Sequence, residues 1–183
     1  MAELALKGGD ALAKKLAEIA KQVSQPGSLR VGFLEGAGKH PGSDLPYAAI
    51  AAIQEFGAPN ASIPPRPFFR PMIEKHKGEW GDQLAAQLKR TDYDAAASLD
   101  LLGYVIDGEL AQSMTDVTSP ALSPITLMLR KMIGEDPTLV VTGKTVAEAA
   151  ARVAAGESAD GVSTKPLIFR GDLQGAIAHE VKS

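Results

Sequence analysis

The sequence has no cysteine among its 183 residues, and only 5% of its residues are aromatic. The missing cysteine excludes disulfide scaffolds, Cys-ligated zinc sites and thiol nucleophiles together. A surplus of positive charge is missing too, because 19 lysines and arginines stand against 22 acidic residues, for a net charge of −3. Proteins that bind nucleic acid through its phosphates normally carry a clustered basic surplus, so this class is disfavoured.

Long hydrophobic runs are also absent, and none approaches the roughly 20 apolar residues needed to span a bilayer. Residues 1–16 carry charges every few positions and no apolar segment, which argues against a secretory signal peptide. The chain does contain 45% hydrophobic and 22% charged residues, as ordinary globular proteins do. We therefore expect a single domain over residues 1–183, synthesised in a cytoplasm.

Hydrophobic spacing predicts mostly helices. Apolar residues at positions 12, 16, 19 and 23 form one stripe of an amphipathic helix over 4–23. Alternation of apolar and polar residues predicts short strands over 29–33 and 176–181. Between the first strand and the next helix, residues 35–46 form a glycine- and proline-rich loop. Periodicity, caps and proline positions predict further helices over 47–56, 71–90, 94–116 and 124–133.

No complete catalytic, metal-binding or cofactor-binding motif is present. Residues 140–145 approach a phosphate-binding loop, but Thr138 stands where that loop needs its first glycine. A strand, a turn and a helix capped by Thr145 is the simpler interpretation, with a degenerate nucleotide binder as a distant alternative. The three histidines, His40, His76 and His179, show no metal-ligand spacing. We expect a protein that is not an enzyme and that has no cofactor.

Prolines are most concentrated in residues 59–71, a segment that contains five of them and is here called the proline strip. Proline fixes φ and biases the preceding residue to extended geometry, so the strip is stiff. One interpretation is a rigid connector whose phenylalanines lie in the core; the other is a docking surface, since aromatics and arginine are enriched in interfaces. Neighbouring side chains of an extended segment point to opposite sides, so one phenylalanine is expected to face inward and the other outward. The candidate interface residues are Arg66, Phe68, Phe69 and Arg70.

Three stretches of the sequence resemble the tail-completion or head–tail joining family, the small neck proteins of long-tailed bacteriophages. The first is E-F-G at 55–57 followed by I-P-x-R-P-F-x-R-P at 63–71. The second is L-S-P-x-T-L at 122–127. The third, beginning K-P-L at 165–167, matches only in part, because Phe169 and Arg170 replace the usual D-T.

The resemblance implies an α+β fold in which a long N-terminal helix and further helices pack on a small, mostly antiparallel sheet. It implies a structural virion protein: a homo-oligomeric ring of six or twelve copies that completes the tail and joins it to the head. Its partners would be head connector or adaptor proteins and tail terminator or tail tube proteins. Genomic DNA would pass the lumen without sequence-specific binding, and no membrane would be involved.

Residues 135–164 lie between two of the resembling stretches and are longer than the family usually has, so they are predicted to form an accessory insertion. The alternative function is a small non-enzymatic interaction module, regulatory or host-binding, that uses the proline strip to dock a partner.

Overall fold

The computed structural model describes residues 9–24, 27–40 and 44–182. These residues form eight helices and one antiparallel pair of strands, which confirms the α+β class. None of the helices formed by these residues is both long and apolar enough to cross a membrane. The elements, in chain order, are α1 (Gly9–Val23), β1 (Ser28–Gly32), α2 (Tyr47–Phe56), α3 (Phe69–His76), α4 (Trp80–Arg90), α5 (Ala95–Asp116), α6 (Pro124–Glu135), α7 (Gly143–Ala154), α8 (Asp172–Gly175) and β2 (Ala178–Lys182).

Several helix ends lie where capping chemistry predicts them. Helix α2 covers the predicted residues and ends at Gly57, whose φ of 78° is favourable for glycine. The N-cap of α5 is Asp94, whose Oδ1 accepts a hydrogen bond of 2.9 Å from the backbone N–H of Ala97. Helix α6 begins with Ser123 as its N-cap, whose hydroxyl accepts a hydrogen bond from the backbone N–H of Thr126. The predicted N-terminal helix corresponds to α1, and residues 4–8 lie outside the described residues.

The prediction of one helix over 71–90 is wrong. The structure has two helices, α3 and α4, which are separated by residues 77–79. Gly78 lies at this break. In the interior of a continuous helix, a glycine would cost about 1 kcal/mol relative to alanine, which favours the interruption here. Helix α3 also begins two residues early, at Phe69, with Pro71 in its first turn, where the missing N–H is tolerated.

The expected cap of α7 is also corrected. Thr142 is the N-cap, and Thr145 is the third helical residue of a capping box in which each side chain bonds the other's backbone N–H. Residues 139–141 before it form no strand.

The chain divides into two compact units, each made of separate stretches of sequence. The first unit comprises 1–31, 76–106 and 179–183, and the second comprises 32–75 and 107–178. The second unit has the larger set of buried apolar residues: Tyr47, Ala51, Phe68, Met72, Leu110, Met114, Met128, Met132, Ala149, Leu167 and Ala176. Among the described residues of the first unit, the buried positions are Ser98, Leu102, Gly103 and Ile106.

In the first unit, the imidazole of His179 on β2 packs directly against Gly103 of α5. A Cβ atom at Gly103 would collide with this ring, so the glycine is required for the contact. The ring of Tyr104 meets His179 edge-on with centroids 4.5 Å apart, and His179 Nε2 lies 3.3 Å from an Asp100 carboxylate oxygen. Gly103 has a low helix propensity, but the space left by its missing side chain lets the His179 ring of β2 pack against α5.

Residues 135–164, predicted as an accessory insertion, belong to the second unit. Their helix α7 packs on α6, where the fully buried Ala149 joins Met128 and Met132 in one apolar cluster. On the surface of this pair, Arg152 of α7 bonds the carboxylates of Glu135 and Glu157. The segment therefore contributes to a helix pair of the second unit.

Candidate functional site

The chain makes a tight reversal at Gly57, just before the proline strip, that only glycine permits. A Cβ atom at Gly57 would lie 2.9 Å from both the Ile63 carbonyl oxygen and the Pro65 nitrogen. Ala58 and Ile63 then pair through two backbone hydrogen bonds, 2.9 and 3.1 Å long, around a short turn at Pro59–Ala61. This geometry explains why a glycine follows the glutamate and phenylalanine of the E-F-G sequence.

The returning strip is held by the buried carboxylate of Glu55 on α2. One carboxylate oxygen accepts hydrogen bonds from the backbone N–H groups of Phe68 (2.7 Å) and Phe69 (2.9 Å). The other oxygen accepts from the backbone N–H and the Nε of Arg70, at 3.3 and 2.8 Å. These amides open helix α3, so a negative charge lies where a helix N-terminus favours it.

Burial raises the pKa of the Glu55 carboxyl, but the hydrogen bonds from the Arg70 side chain and the three backbone amides outweigh it and hold the pKa below its usual value. Arg70 also stacks its guanidinium over the ring of Phe56, 5.0 Å from the centroid. The Phe56 ring is 66% exposed. The carboxylate of Glu55 is thus kept charged inside the unit, beside an aromatic and a cation that face outward.

The two phenylalanines of the strip have different environments. Phe68 is 1% exposed, and its ring meets Phe33 edge-on at 6.2 Å. The Ser113 hydroxyl donates a 2.7 Å hydrogen bond to the Phe68 carbonyl. Phe69 is half-buried, with its ring close to Gly32. Phe68 is therefore the inward-facing residue, and Phe69 remains partly exposed to solvent.

Arg66 is buried, contrary to the expectation that it projects toward another subunit. Its Nε donates a 3.0 Å hydrogen bond to the Pro120 carbonyl, and its Nη1 lies 3.5 Å from the Gln54 side-chain oxygen. Burial lowers the pKa of this guanidinium. Arg66 and Phe68 are used inside the chain, which leaves Phe69 and Arg70 of the four candidates at the surface.

A second buried arginine, Arg130 on α6, was not identified from the sequence. Its guanidinium donates four hydrogen bonds of 2.6–3.1 Å to backbone carbonyls within 163–168. It also lies over the ring of Phe169, 5.1 Å from the centroid. Burial, and secondarily the positive charge of Arg66, lowers its pKa. No local signal marked Arg130, because Met128 and Met132 stand two positions away on α6 and residues at that spacing do not share a helix face.

Two clefts in the second unit adjoin these anchors. One has a volume of about 180 Å³ and is lined in part by Gln54, Arg130 and Leu167. The other has a volume of about 330 Å³ and is lined in part by Ile133 and residues 137–141. Both share a mixed wall of His40, Phe169, Arg170 and Asp172.

Three residues considered above for metal or phosphate binding, His40, Thr138 and Thr145, contact other side chains or the backbone of the chain. His40 Nε2 lies 4.0 Å from a carboxylate oxygen of Asp172. The Thr145 hydroxyl is used in the capping box and bonds the Thr142 carbonyl. Thr138 occupies the position of the first glycine of a phosphate loop. Its backbone N–H and its hydroxyl both donate hydrogen bonds to the Asp136 carboxylate.

No family model matches the chain, and no curated protein or solved structure is significantly similar to it.

Proposed function

We propose that the chain is a structural protein of the neck of a long-tailed bacteriophage, a ring that completes the tail and joins it to the head connector. The observation that carries this proposal is that the three stretches resembling the neck family are connected, in part through Pro120 and Arg130 on either side of the second stretch. Glu55 bonds residues 68–70, Arg66 bonds Pro120 next to the L-S-P stretch, and Arg130 bonds the backbone around K-P-L. Residues scattered over more than 100 positions of sequence thus form one connected scaffold.

The charged residues of these stretches have structural partners. Glu55 holds a helix N-terminus, and both buried arginines bond main-chain carbonyls. Such an arrangement supports a rigid assembly component. It also counts against the alternative of an interaction module that docks through the proline strip, because Arg66 and Phe68 are buried.

A closed ring needs two different surfaces on each copy that fit each other. Phe56 and Arg70 offer one exposed aromatic and cationic patch for such a contact. The net charge of −3 is compatible with a lumen through which DNA slides without binding.

The test is deletion of the coding sequence from the genome that carries it, followed by electron microscopy of the lysate. We expect filled capsids and free tails that remain separate, and joined particles when the wild-type chain is supplied in trans. Normal particle yield without the chain would refute the proposal.

A matched pair of variants locates the contact. Phe56→Ala and Tyr104→Ala each remove an aromatic ring that is about two-thirds exposed, the former in the second unit and the latter in the first. Both variants are first checked for wild-type thermal unfolding. Phe56→Ala is expected to reduce joining in the complementation assay, whereas Tyr104→Ala is expected to leave it intact.

A further inference from the structure

The smaller of the two clefts, about 180 Å³ in volume, is lined by two arginine side chains, Arg130 and Arg170. Their guanidinium carbons lie 5.1 and 5.5 Å from the centroid of the same ring, that of Phe169. Arg130 comes from α6, whereas Phe169 and Arg170 lie in the segment before α8. Two cations that are 40 positions apart in sequence thus meet around one aromatic ring of the second unit.

The cleft carries more positive than negative charge. Among the described residues that line it, Asp172 is the single acidic one, and its carboxylate lies 4.0 Å from His40 Nε2. In the described part of the chain, no carboxylate forms an ion pair with Arg130 or Arg170. Burial lowers the pKa of Arg130, and the positive charge of Arg66, which is also buried, lowers it further. Arginine is almost never fully buried unless it is paired, so this excess of positive charge favours an anion in the cleft.

Several hydrogen-bond donors of the cleft are unused within the described chain. Arg130 donates from Nη1 and Nη2 to main-chain carbonyls, but not from Nε. Arg170 donates from Nη2 to the Ile133 carbonyl, 3.1 Å away, but not from Nε or Nη1. The side-chain oxygen of Gln54 accepts from Arg66, and its amide nitrogen donates to no described residue. Guanidinium groups make their strongest hydrogen bonds to charged oxygens, so the ligand that fits these donors is an oxoanion.

The dimensions of the cleft favour a small ion. Its volume of about 180 Å³ is below the range of roughly 300–1,000 Å³ that is typical of pockets for drug-sized ligands. Arg130 is buried, and four hydrogen bonds to carbonyls hold its guanidinium, so the position of this cation is fixed before an ion arrives. A preorganised group loses little conformational entropy on binding, which favours the binding of a ligand that makes few contacts.

We propose that this cleft of the second unit binds a small divalent oxoanion, of the size of phosphate or sulfate, between the guanidinium groups of Arg130 and Arg170. Arg130 supplies a buried cation in a fixed position, and Arg170 supplies an exposed one that adjusts to the ion. Two positive groups match the two negative charges of the ion. The Asp172 carboxylate in the same cleft repels the ion and limits its affinity. The site goes beyond the proposed function, which does not use this cleft.

The test is a titration of the full chain with sodium phosphate, against sodium chloride at equal ionic strength. The NMR signals of the Arg130 and Arg170 Nε–H groups are expected to shift in a saturable way, with a dissociation constant of about 1 mM or tighter. The temperature of unfolding is expected to rise with them, because the ion binds the folded chain. Sulfate is expected to act like phosphate, and the monovalent acetate to bind more weakly. AMP, which carries its phosphate on a body larger than the cleft, is also expected to bind more weakly than phosphate.

Three variants with small changes in charge locate the ion. Arg170→Gln removes one of the two cations and is expected to weaken phosphate binding at least about tenfold, as the loss of a charge-assisted hydrogen bond does. Asp172→Asn removes the carboxylate of the cleft and is expected to tighten binding at least about threefold. Arg90→Gln removes an exposed arginine of the first unit and is expected to leave binding unchanged, which controls for net charge. Thermal unfolding without phosphate checks the fold of each variant.

The proposal is overturned if the wild-type chain shows no saturable response up to about 50 mM phosphate, well above the expected dissociation constant. It is also overturned if folded Arg170→Gln binds phosphate as the wild type does, or if Arg90→Gln loses as much affinity as Arg170→Gln. Acetate or AMP binding as tightly as phosphate would overturn the assignment to a small divalent ion. If Arg170→Gln does not fold, Asp172→Asn decides, because weaker or unchanged binding in that variant contradicts an anion in this cleft.

Discussion

The two units of the chain differ in how far they bury their apolar side chains. In the second unit large side chains such as Phe68, Leu110 and Met128 are fully or almost fully buried. In the first unit, α1 is an amphipathic helix with no buried residue, and its stripe residues Leu12 and Leu16 are 62% and 56% exposed. The amphipathic pattern thus corresponds to a packed core in the second unit but to exposed surface along α1, and the buried apolar side chains of the first unit are Leu102 and Ile106 among its described residues. We infer that most of the stability of the chain resides in the second unit.

The largest expected effect is that of Phe68→Ala in the second unit. Truncating a buried phenylalanine leaves a cavity and is expected to lower the free energy of unfolding by about 3–5 kcal/mol. Phe56→Ala, which truncates the exposed ring on the same motif, is expected to stay within about 0.5 kcal/mol. Urea denaturation followed by circular dichroism measures both. A Phe68→Ala chain as stable as the wild type would show that the second unit is not the better packed one.

Leucine substitutions compare the units directly. Leu110→Ala removes a fully buried side chain of the second unit and is expected to cost about 2–5 kcal/mol. Leu16→Ala removes an exposed leucine of α1, and alanine favours helices, so a change within about 0.5 kcal/mol is expected. The same denaturation measurement applies at a concentration where the chain is monomeric. A cost above about 1 kcal/mol for Leu16→Ala would contradict the comparison, because that is the size of a change at a packed site.

The smallest expected effect concerns pH and the carboxylates of the second unit. The pKa of Glu55 is held below its usual value in the folded chain, as explained above, and the side chains of Arg152 and Lys131 lower the pKa of Glu157 to about 2. A lowered folded-state pKa gives stability that is fully present above the unfolded pKa and is lost as the pH falls through the folded pKa. Stability is therefore expected to decline as the pH drops from about 4.5 toward 2.

Glu55→Gln sharpens this expectation. The amide cannot accept at both former oxygen positions, so the variant is expected to lose about 1.5–3 kcal/mol at neutral pH. Its stability should also depend less on pH in the acid range than that of the wild type. Glu148→Gln, at an exposed position of α7, serves as the control and is expected to leave both quantities unchanged. An unchanged acid profile in Glu55→Gln would show that this carboxylate does not carry the effect.

Local signals predicted much of the fold, because caps and breakers act within a few residues. Helix α2 and the N-caps Asp94 and Ser123 follow from neighbouring residues alone. The break at Gly78 was missed because apolar residues on both sides keep a helical period across it. The roles of Arg66 and Arg130 depend on carbonyls 33–54 positions away in sequence, which no local pattern contains.

Within the candidate site, the sequence predicted that one of the two phenylalanines faces inward, which is Phe68, but did not say which one; Phe69, the other, is half-buried. Alternation along an extended strip gives opposite sides, whereas the choice of side depends on what packs above it, here Phe33. Residues 139–141 show the same boundary. Their β-branched side chains favour a strand, but the structure forms none there.

The contacts of Arg130 have a consequence for the freedom of the sequence it holds. Every hydrogen bond from this guanidinium to 163–168 ends on a main-chain oxygen, and every residue type supplies one. Substitutions within 163–168 leave these hydrogen bonds intact as long as the backbone conformation is kept. Side-chain identity within the loop matters at Ser163, whose hydroxyl donates a hydrogen bond to the Ile168 carbonyl and accepts one from the Lys165 backbone N–H, and at the buried Leu167. The exposed Thr164 therefore has more freedom to vary than its neighbours.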